Sequence, residues 1–413
     1  MTLLTVNQQR LIDDINTLAL STEGNAPGWT RRFPSGAYRR GREWLRTHME
    51  AEGLKTQLDA AGNLFALRAG SQDLPPIVTG SHTDTVLGGG RYDGVLGVLG
   101  GLEATRAIRE AGIVLRHPLM VADYMSEEAT DYGIACMGSL AMCTDHFQQS
   151  WLDRTVNGLT LRDAIREVGG MPEKLGQPLA KPGDIAASIE LHIEQGPLLE
   201  AHKVKLAAVS GIVGIRRAIF ELHGKANHAG ATPMYLRRDA MAAAAKIISA
   251  VEEIVHAHPG TVGTVGRVLV EPNQGNVIAE KVTIMPEMRS LNMHEVDSMW
   301  AAMLEIAQKA CAERKVTLQV FNETRMDSVI PPQWLHEIVF DVCRRYEPHA
   351  LITPSGAGHD TNYLAQIAPA AMIFVPSVDG RSHAPEEYTA PEDLALGVQV
   401  LAETIVEVDR FLD

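Results

Sequence analysis

Apolar positions along this chain recur with two periods, near 3.6 and near 2, and their alternation predicts an α/β protein. Between Ser35 and Gly53, Tyr38, Trp44, Leu45, His48 and Met49 fall at helical spacing before a terminating glycine. Two short runs bounded by Gly and Pro follow, LFALRAG and PPIVTGSHTDT, and read as strands. Val95 to Gly112 carries the apolar face of a helix, and HPLMVADYMSEE returns to a buried strand. Strands alternating with helices predict a mostly parallel sheet with helices on both faces.

The pattern changes after Val213. IRRAIFELHGK alternates like a strand, Asp239 to His258 is an Ala-rich helix, and TVGTVGRVLVEP and KVTIMPEMRSLN are strands. Val296 to Arg314 is a helix and VTLQVFNET a strand. The order β-α-β-β-α-β predicts a small ferredoxin-like α+β unit. An inserted domain at 213–328 would then interrupt a discontinuous one, 1–212 and 329–413, to which Pro331 and Pro332 mark the return. IAPAAMIFVPS adds a buried strand, and Ser377 to Pro385 forms the loop at its carboxyl end, where open α/β sheets bind ligands.

Composition narrows what such a fold serves. The 413 residues, 45% apolar and 21% charged, can bury a large core. Basic residues number 37 against 51 acidic, a formal charge of −14, which argues against nucleic acid and against an anionic membrane surface. No apolar run approaches the roughly 18 residues of a membrane span. MTLLTVNQQR lacks the basic start of a secretory signal, so a cytoplasmic protein is expected. Cys136, Cys143, Cys311 and Cys343 form no CxxC and read as core thiols.

Candidate chemistry sits just beyond the apolar runs. His82 lies in SHTDTVLGGGRYDG with Asp93 eleven residues later, Glu127 and Glu128 follow VADYMS, His192 lies in ELHIEQG, and His383 in SVDGRSHAPEE. Each alone is an ordinary structural residue. At the ends of strands in one sheet they could converge, and three histidines with two carboxylates suffice for two divalent ions with one carboxylate bridging. Of the adjacent glutamates, one would be ligand and the other general base. GGGRYDG is not a dinucleotide loop, since the third glycine of GxGxxG would fall at Asp93. Gly94, Gly97 and Gly100 are expected to admit close helix packing, and the Asp84 carboxylate to orient the His82 imidazole.

These motifs, with GKANHAGATPM, PNQGNVI and SGAGHD, keep their order from about residue 30 to 400. Together they resemble the amidase, hydantoinase and carbamoylase branch of the M20 metallopeptidase family. The resemblance implies a catalytic di-metal domain with an inserted dimerisation and lid domain, in a homodimer. It implies two divalent ions per subunit (Zn²⁺, Mn²⁺, Co²⁺ or Ni²⁺), one on His82, Asp93 and His192 and the other on Asp93, Glu128 and His383. A histidine at 192, where the peptidase branches commonly use a carboxylate, points to the amidohydrolases. Glu127 would be the general base, and His228 would reach across the dimer interface to the oxyanion. Gln195, Arg216, Asn276, Arg289, Gly356 and Gly358 would bind substrate. The implied reaction cleaves the carbamoyl C–N bond of a small anionic ureido substrate, an N-carbamoyl-L-amino acid, releasing ammonia and CO₂. Allantoate and N-carbamoyl-β-alanine are alternatives, then the ordinary amides of an aminoacylase or peptidase. ATDYGIACMGS departs from the Gly-Ser-Arg-Phe-like stretch typical of the branch, leaving the substrate side chain open.

Overall fold

A computed structural model describes residues 4–412; Met1, Thr2 and Leu3 of the N-terminal segment lie outside the described residues. Asn7, whose side chain accepts the N–H of Arg10 at 3.1 Å, caps a helix at Gln8–Ala19 that the sequence expectations did not include. Ser35 caps the next, Gly36–Ala51, in the same way. The chain forms two compact units, one made of residues up to Ser210 and from Pro331 onward, the other of Gly211–Ile330.

The first unit is built on eight strands: β1 (Lys55–Leu58), β2 (Leu64–Arg68), β3 (Ile77–His82), β4 (Leu119–Tyr124), β7 (Ala187–Ile193), β8 (Ala207–Ile212), β13 (Leu351–Ser355) and β14 (Ala370–Val375). A separate two-stranded ribbon pairs β5 (Thr155–Val156) with β6 (Leu159–Thr160). The large sheet runs β1-β2-β4-β3-β7-β14-β8-β13. Its four central strands are parallel and buried on both faces, as continuous apolar runs require. The flanks differ from the mostly parallel sheet expected. β1 pairs antiparallel with β2, β2 with β4, and β8 with β14. For β1–β2 the cause is local: the short 59–63 loop, closed by Asp59 accepting from the Asn63 backbone at 2.8 Å, leaves no room for the crossover that a parallel pair needs. The helix Val95–Glu110, buried along nearly its whole length, lies against this sheet. A Cβ on Gly97 would stand 2.6 Å from Cβ of Ser81 and 2.8 Å from the Leu191 carbonyl oxygen, so only glycine permits this approach. All four cysteines are buried free thiols.

The second unit is an antiparallel sheet, β10-β11-β9-β12, from β9 (Gly214–His223), β10 (Val262–Glu271), β11 (Lys281–Ser290) and β12 (Thr317–Met326). The helices Ala240–His256 and Met293–Glu313 cover one face, around Phe220, Met288 and Trp300. β11 alternates strictly between buried and half-buried positions.

Candidate metal centre and active site

The four parallel strands run in one direction, so their carboxyl ends, and the groups carried there, share one edge of the sheet. β3 ends on His82, β7 carries His192, Glu127 and Glu128 follow β4, and His383 follows β14. Asp93 immediately precedes the helix Val95–Glu110. Its Oδ1 is 3.2 Å from His192 Nε2 and 4.0 Å from His82 Nε2, and its Oδ2 is 3.2 Å from His383 Nε2. His383 Nε2 is also 3.4 Å from Glu128 Oε1. Two groups of ligand atoms result, His82–Asp93–His192 and Asp93–Glu128–His383, and they share Asp93.

Hydrogen bonds aim these side chains. His82 donates Nδ1–H to the Asp84 carbonyl at 3.0 Å and His192 donates Nδ1–H to the Ile193 carbonyl at 2.9 Å, which turns each Nε2 toward the centre. Glu387 accepts the N–H groups of Tyr92 and Asp93 at 2.9 and 3.1 Å and fixes the aspartate's loop. Ser126, Gln195 and His383 hold left-handed backbone (φ 58°, 58° and 55°), the kind of strain found at functional sites.

Asp84 Oδ1 stands 3.6 Å from His82 Nδ1, and its two oxygens also accept the N–H groups of Glu127 and Glu128, each at 3.1 Å, and so set the glutamate turn. One expectation needs correction. Gly94 serves the centre rather than helix packing: at φ 66° it lies where a Cβ would be 2.3 Å from His82 Nε2.

The charges interlock. Burial pushes the Asp93 carboxyl up, but hydrogen bonds from His192 and His383 outweigh it and hold the group well below the usual carboxylate range. Burial takes His82 down to about 4. Asp93 lifts His192 to about 9 against burial, and lifts His383 to about 9. Burial, then Asp93, raises Glu128 to about 8, and burial with the Glu128 charge pushes Glu127 well above its ordinary value. A carboxylate clamped between two imidazolium protons is a place where a divalent cation can replace those protons, and imidazole nitrogens with carboxylate oxygens suit Zn²⁺, Mn²⁺, Co²⁺ and Ni²⁺. Glu127 stands beside the centre, with Oε2 3.7 Å from His82 Nε2 and Oε1 accepting the Cys136 thiol at 3.2 Å.

A third group, Glu190–His192–His359, was not anticipated. Glu190 is fully engaged, accepting from Ser81 at 2.7 Å and Thr361 at 2.5 Å, and the His359 ring lies 4.6 Å from that of His192. This group supports His192 from behind. The signal for His359 was present in SGAGHD; Glu190, mid-strand in β7, carried none.

The residues expected to bind substrate are dispersed. Gln195 donates to both oxygens of Asp93 at 3.1 Å, so it faces the metal centre. Gly356 and Gly358 lie in the loop between β13 and His359. In the second unit, His228 bridges to Val277, next to Asn276, and its Nδ1 accepts the N–H groups of Gly230 and Ala231 at 3.1 Å each. The neutral ring therefore carries its proton on Nε2, exposed and ready to donate. Arg216 and Arg289 are not brought together. Arg216 pairs with the buried Met288 and Arg289 with Ile215, so the pleat points them to opposite faces of the sheet. Arg216 lies on the helix-covered face over the Trp300 ring, bonded to Asp297 at 3.0 Å and to Glu323. Both have protein partners, Arg289 Nε donating to Glu287 at 2.9 Å, and of the two Arg289 lies on the face that the helices leave uncovered.

Residues 78–407 match the profile of peptidase family M20/M25/M40. The chain belongs to the M20 family. Within it, an N-carbamoyl-L-amino acid amidohydrolase of Geobacillus stearothermophilus is 38% identical over 393 residues, 94% of this chain and 96% of that protein. A ureidoglycolate hydrolase of Oryza sativa subsp. japonica is 35% identical over 95% of this chain and 82% of its own length. A crystal structure of an amidase of the hydantoinase/carbamoylase family from Burkholderia multivorans superposes with a TM-score of 0.90 at 32% identity, covering 98% of each chain. This M20 protein is thus a metal-dependent amidohydrolase acting on C–N bonds other than peptide bonds. No helix among the described residues is long and apolar enough to cross a membrane.

Proposed function

We propose that this M20 enzyme hydrolyses the carbamoyl C–N bond of an N-carbamoyl-L-amino acid, yielding the amino acid, ammonia and CO₂. The observation that carries the reading is the pair of ligand groups sharing Asp93, with Glu127 beside them but outside both. The relative from Geobacillus, similar along nearly the whole chain, supports the substrate class. His82, Asp93 and His192 would hold one divalent ion, and Asp93, Glu128 and His383 a second. Such ions supply a nucleophilic water at neutral pH and polarise the scissile carbonyl.

Glu127 takes a proton from the attacking water and returns it to the departing nitrogen; its raised affinity for protons suits that exchange. The His228 Nε2–H of a partner subunit donates to the developing oxyanion, a role supported by the tautomer that Gly230 and Ala231 impose. Arg289 and Asn276 hold the substrate carboxylate, Gly356 and Gly358 meet it from the loop after β13, and Gln195 steadies Asp93. Arg216 is left out of this set. The inserted unit acts as lid and dimerisation domain. Both of its edge strands carry exposed apolar side chains, Val268 and Leu269 on β10 and Val320 and Phe321 on β12, and exposed apolar edges invite a partner strand. Four unpaired buried thiols suit the reducing cytoplasm.

The test is ammonia release by the metal-loaded enzyme from N-carbamoyl-L-amino acids, allantoate and N-carbamoyl-β-alanine, alongside free amino acid released from dipeptides and N-acetyl amino acids. Turnover confined to the last two would overturn the proposal.

A further inference from the structure

The reading above leaves unspecified the group that the ureido acid carries on its α-carbon. A cavity of about 570 Å³ in the first unit bears on it. It begins at Glu128 and Asp84, at the metal centre itself, and is walled further out by Phe33, Tyr132, Val156 and Leu159. The Phe33 and Tyr132 rings lie 6.3 Å apart at 60°, an arrangement that an additional ring can join edge-on.

The charges in the wall say what does not belong there. Arg32 reaches Glu23 at 3.5 Å and Asp131 at 3.7 Å, and Arg39 is paired with Glu167. Both cations are answered by carboxylates that line the same cavity, so no cation is left to receive a second anionic group. What remains beyond Asp84 and Glu128 is an apolar and aromatic stretch, Phe33, Tyr132, Val156 and Leu159 among it, with a few uncharged polar points such as Thr130 and Asn157 and one buried donor without a hydrogen-bond partner, Arg32 Nε. A glycine or alanine derivative would leave such a space to water and gain nothing from it. A space of a few hundred Å³ with apolar walls and a few polar points is what a bulky group fills.

We infer that this cavity receives the substrate side chain and selects large, uncharged aromatic ones; the inference rests on the proposed ureido-acid hydrolysis. Val156 and Leu159 stand on the two-stranded ribbon, away from the ligands and the base, and serve as the handles for a test.

The experiment measures kcat/KM of the metal-loaded enzyme for the N-carbamoyl derivatives of L-phenylalanine, L-tryptophan, L-alanine, glycine and L-glutamate. The aromatic derivatives should exceed the small and the anionic ones by about tenfold or more. Val156→Trp, which fills the cavity, should remove that preference while leaving the alanine derivative within about twofold, and Val156→Ala should keep it. Leu159→Trp, on the neighbouring strand, repeats the filling if Val156→Trp fails to fold. Equal rates across side chains, a preference for glutamate, or a filled variant that loses all substrates alike would overturn the inference and leave the ureido reaction standing. If no ureido acid releases ammonia, the functional reading falls and the inference with it.

Discussion

Gly94→Ala is the smallest change that should separate the metal centre from the fold around it. The added methyl meets two obstacles. At φ 66° an L-residue sits in the left-handed region, which costs about 1–2 kcal/mol. Its Cβ would also stand 2.3 Å from His82 Nε2 and 2.4 Å from Cδ2 and Cε1 of the same ring. Carbon contacts settle near 3.5 Å or beyond, so the imidazole must retreat by about 1 Å. Ligand distances tolerate about 0.2 Å, so a shift of that size removes His82 as a ligand. Losing a ligand should weaken one metal by more than the 10–100-fold typical of losing a group that merely orients one. Gly101→Ala is the control: its Cβ would stand 3.0 Å from Cγ2 of Thr79 and 3.3 Å from Cγ1 of Val121, farther down the sheet from the ligands, an overpacking worth about 1–3 kcal/mol. The assay is metal content after gel filtration, calorimetric metal titration, and the melting temperature of the metal-free protein. Gly94→Ala should lose one site with a modest drop in Tm, and Gly101→Ala should drop in Tm with both sites retained. Wild-type stoichiometry and affinity in Gly94→Ala would refute the role given to this glycine.

Three further outcomes follow from the same geometry. Glu127→Gln should retain its metal while kcat falls by about 10²–10⁴, since the base lies outside both ligand groups; full turnover with metal bound would exclude Glu127 as the base. His192 and His383, lifted to about 9 without metal, must lose protons to bind it, so affinity should strengthen from about pH 6 to pH 9 with proton release visible as buffer-dependent binding heats. By the same sign, their pairing with Asp93 stabilises the metal-free fold fully below about pH 6.5 and is lost as pH rises through about 9, which thermal melts across that window would show. Arg289→Ala should raise KM, whereas Arg216→Ala should lower the Tm and spare KM; a raised KM in Arg216→Ala with none in Arg289→Ala would restore Arg216 to the substrate.

The sequence made legible those elements whose pattern is local. A buried parallel strand is largely apolar, and the ligand lies at its end or a few residues past it, which is how His82 and the pair Glu127–Glu128 stood out. The β1–β2 hairpin stayed hidden because KTQL lies at the sheet's edge, largely exposed and without apolar alternation. The split between Arg216 and Arg289 was hidden for another reason. Which face a strand residue occupies depends on register with a neighbour more than sixty residues away, and a slip of one position reverses it. The further roles of Asp84 were hidden too: beside its carboxylate's 3.6 Å approach to the His82 ring, only the fold shows that its backbone carbonyl accepts from that ring and its carboxylate from the glutamate turn.

The division between readable and unreadable residues follows from what a parallel sheet does. In β4, β3, β7 and β14 every carboxyl end faces the same edge, so topology alone brings groups from four distant parts of the chain together. The residues that hold them are elsewhere: Glu387 accepts backbone N–H groups 294 and 295 positions away, and Ser81 and Thr361 grip Glu190 across 109 and 171 positions. Ligand identity is thus written at strand ends, while ligand orientation is written in long-range pairs that no spacing reveals. Glu387 gives this a measurable form. Glu387→Gln keeps the shape but replaces one acceptor oxygen with a donor, so either the amides of Tyr92 and Asp93 or the Ser382 hydroxyl face an N–H instead of a carboxylate. The resulting loss should appear in metal affinity by about 10–100-fold, with all five ligands intact.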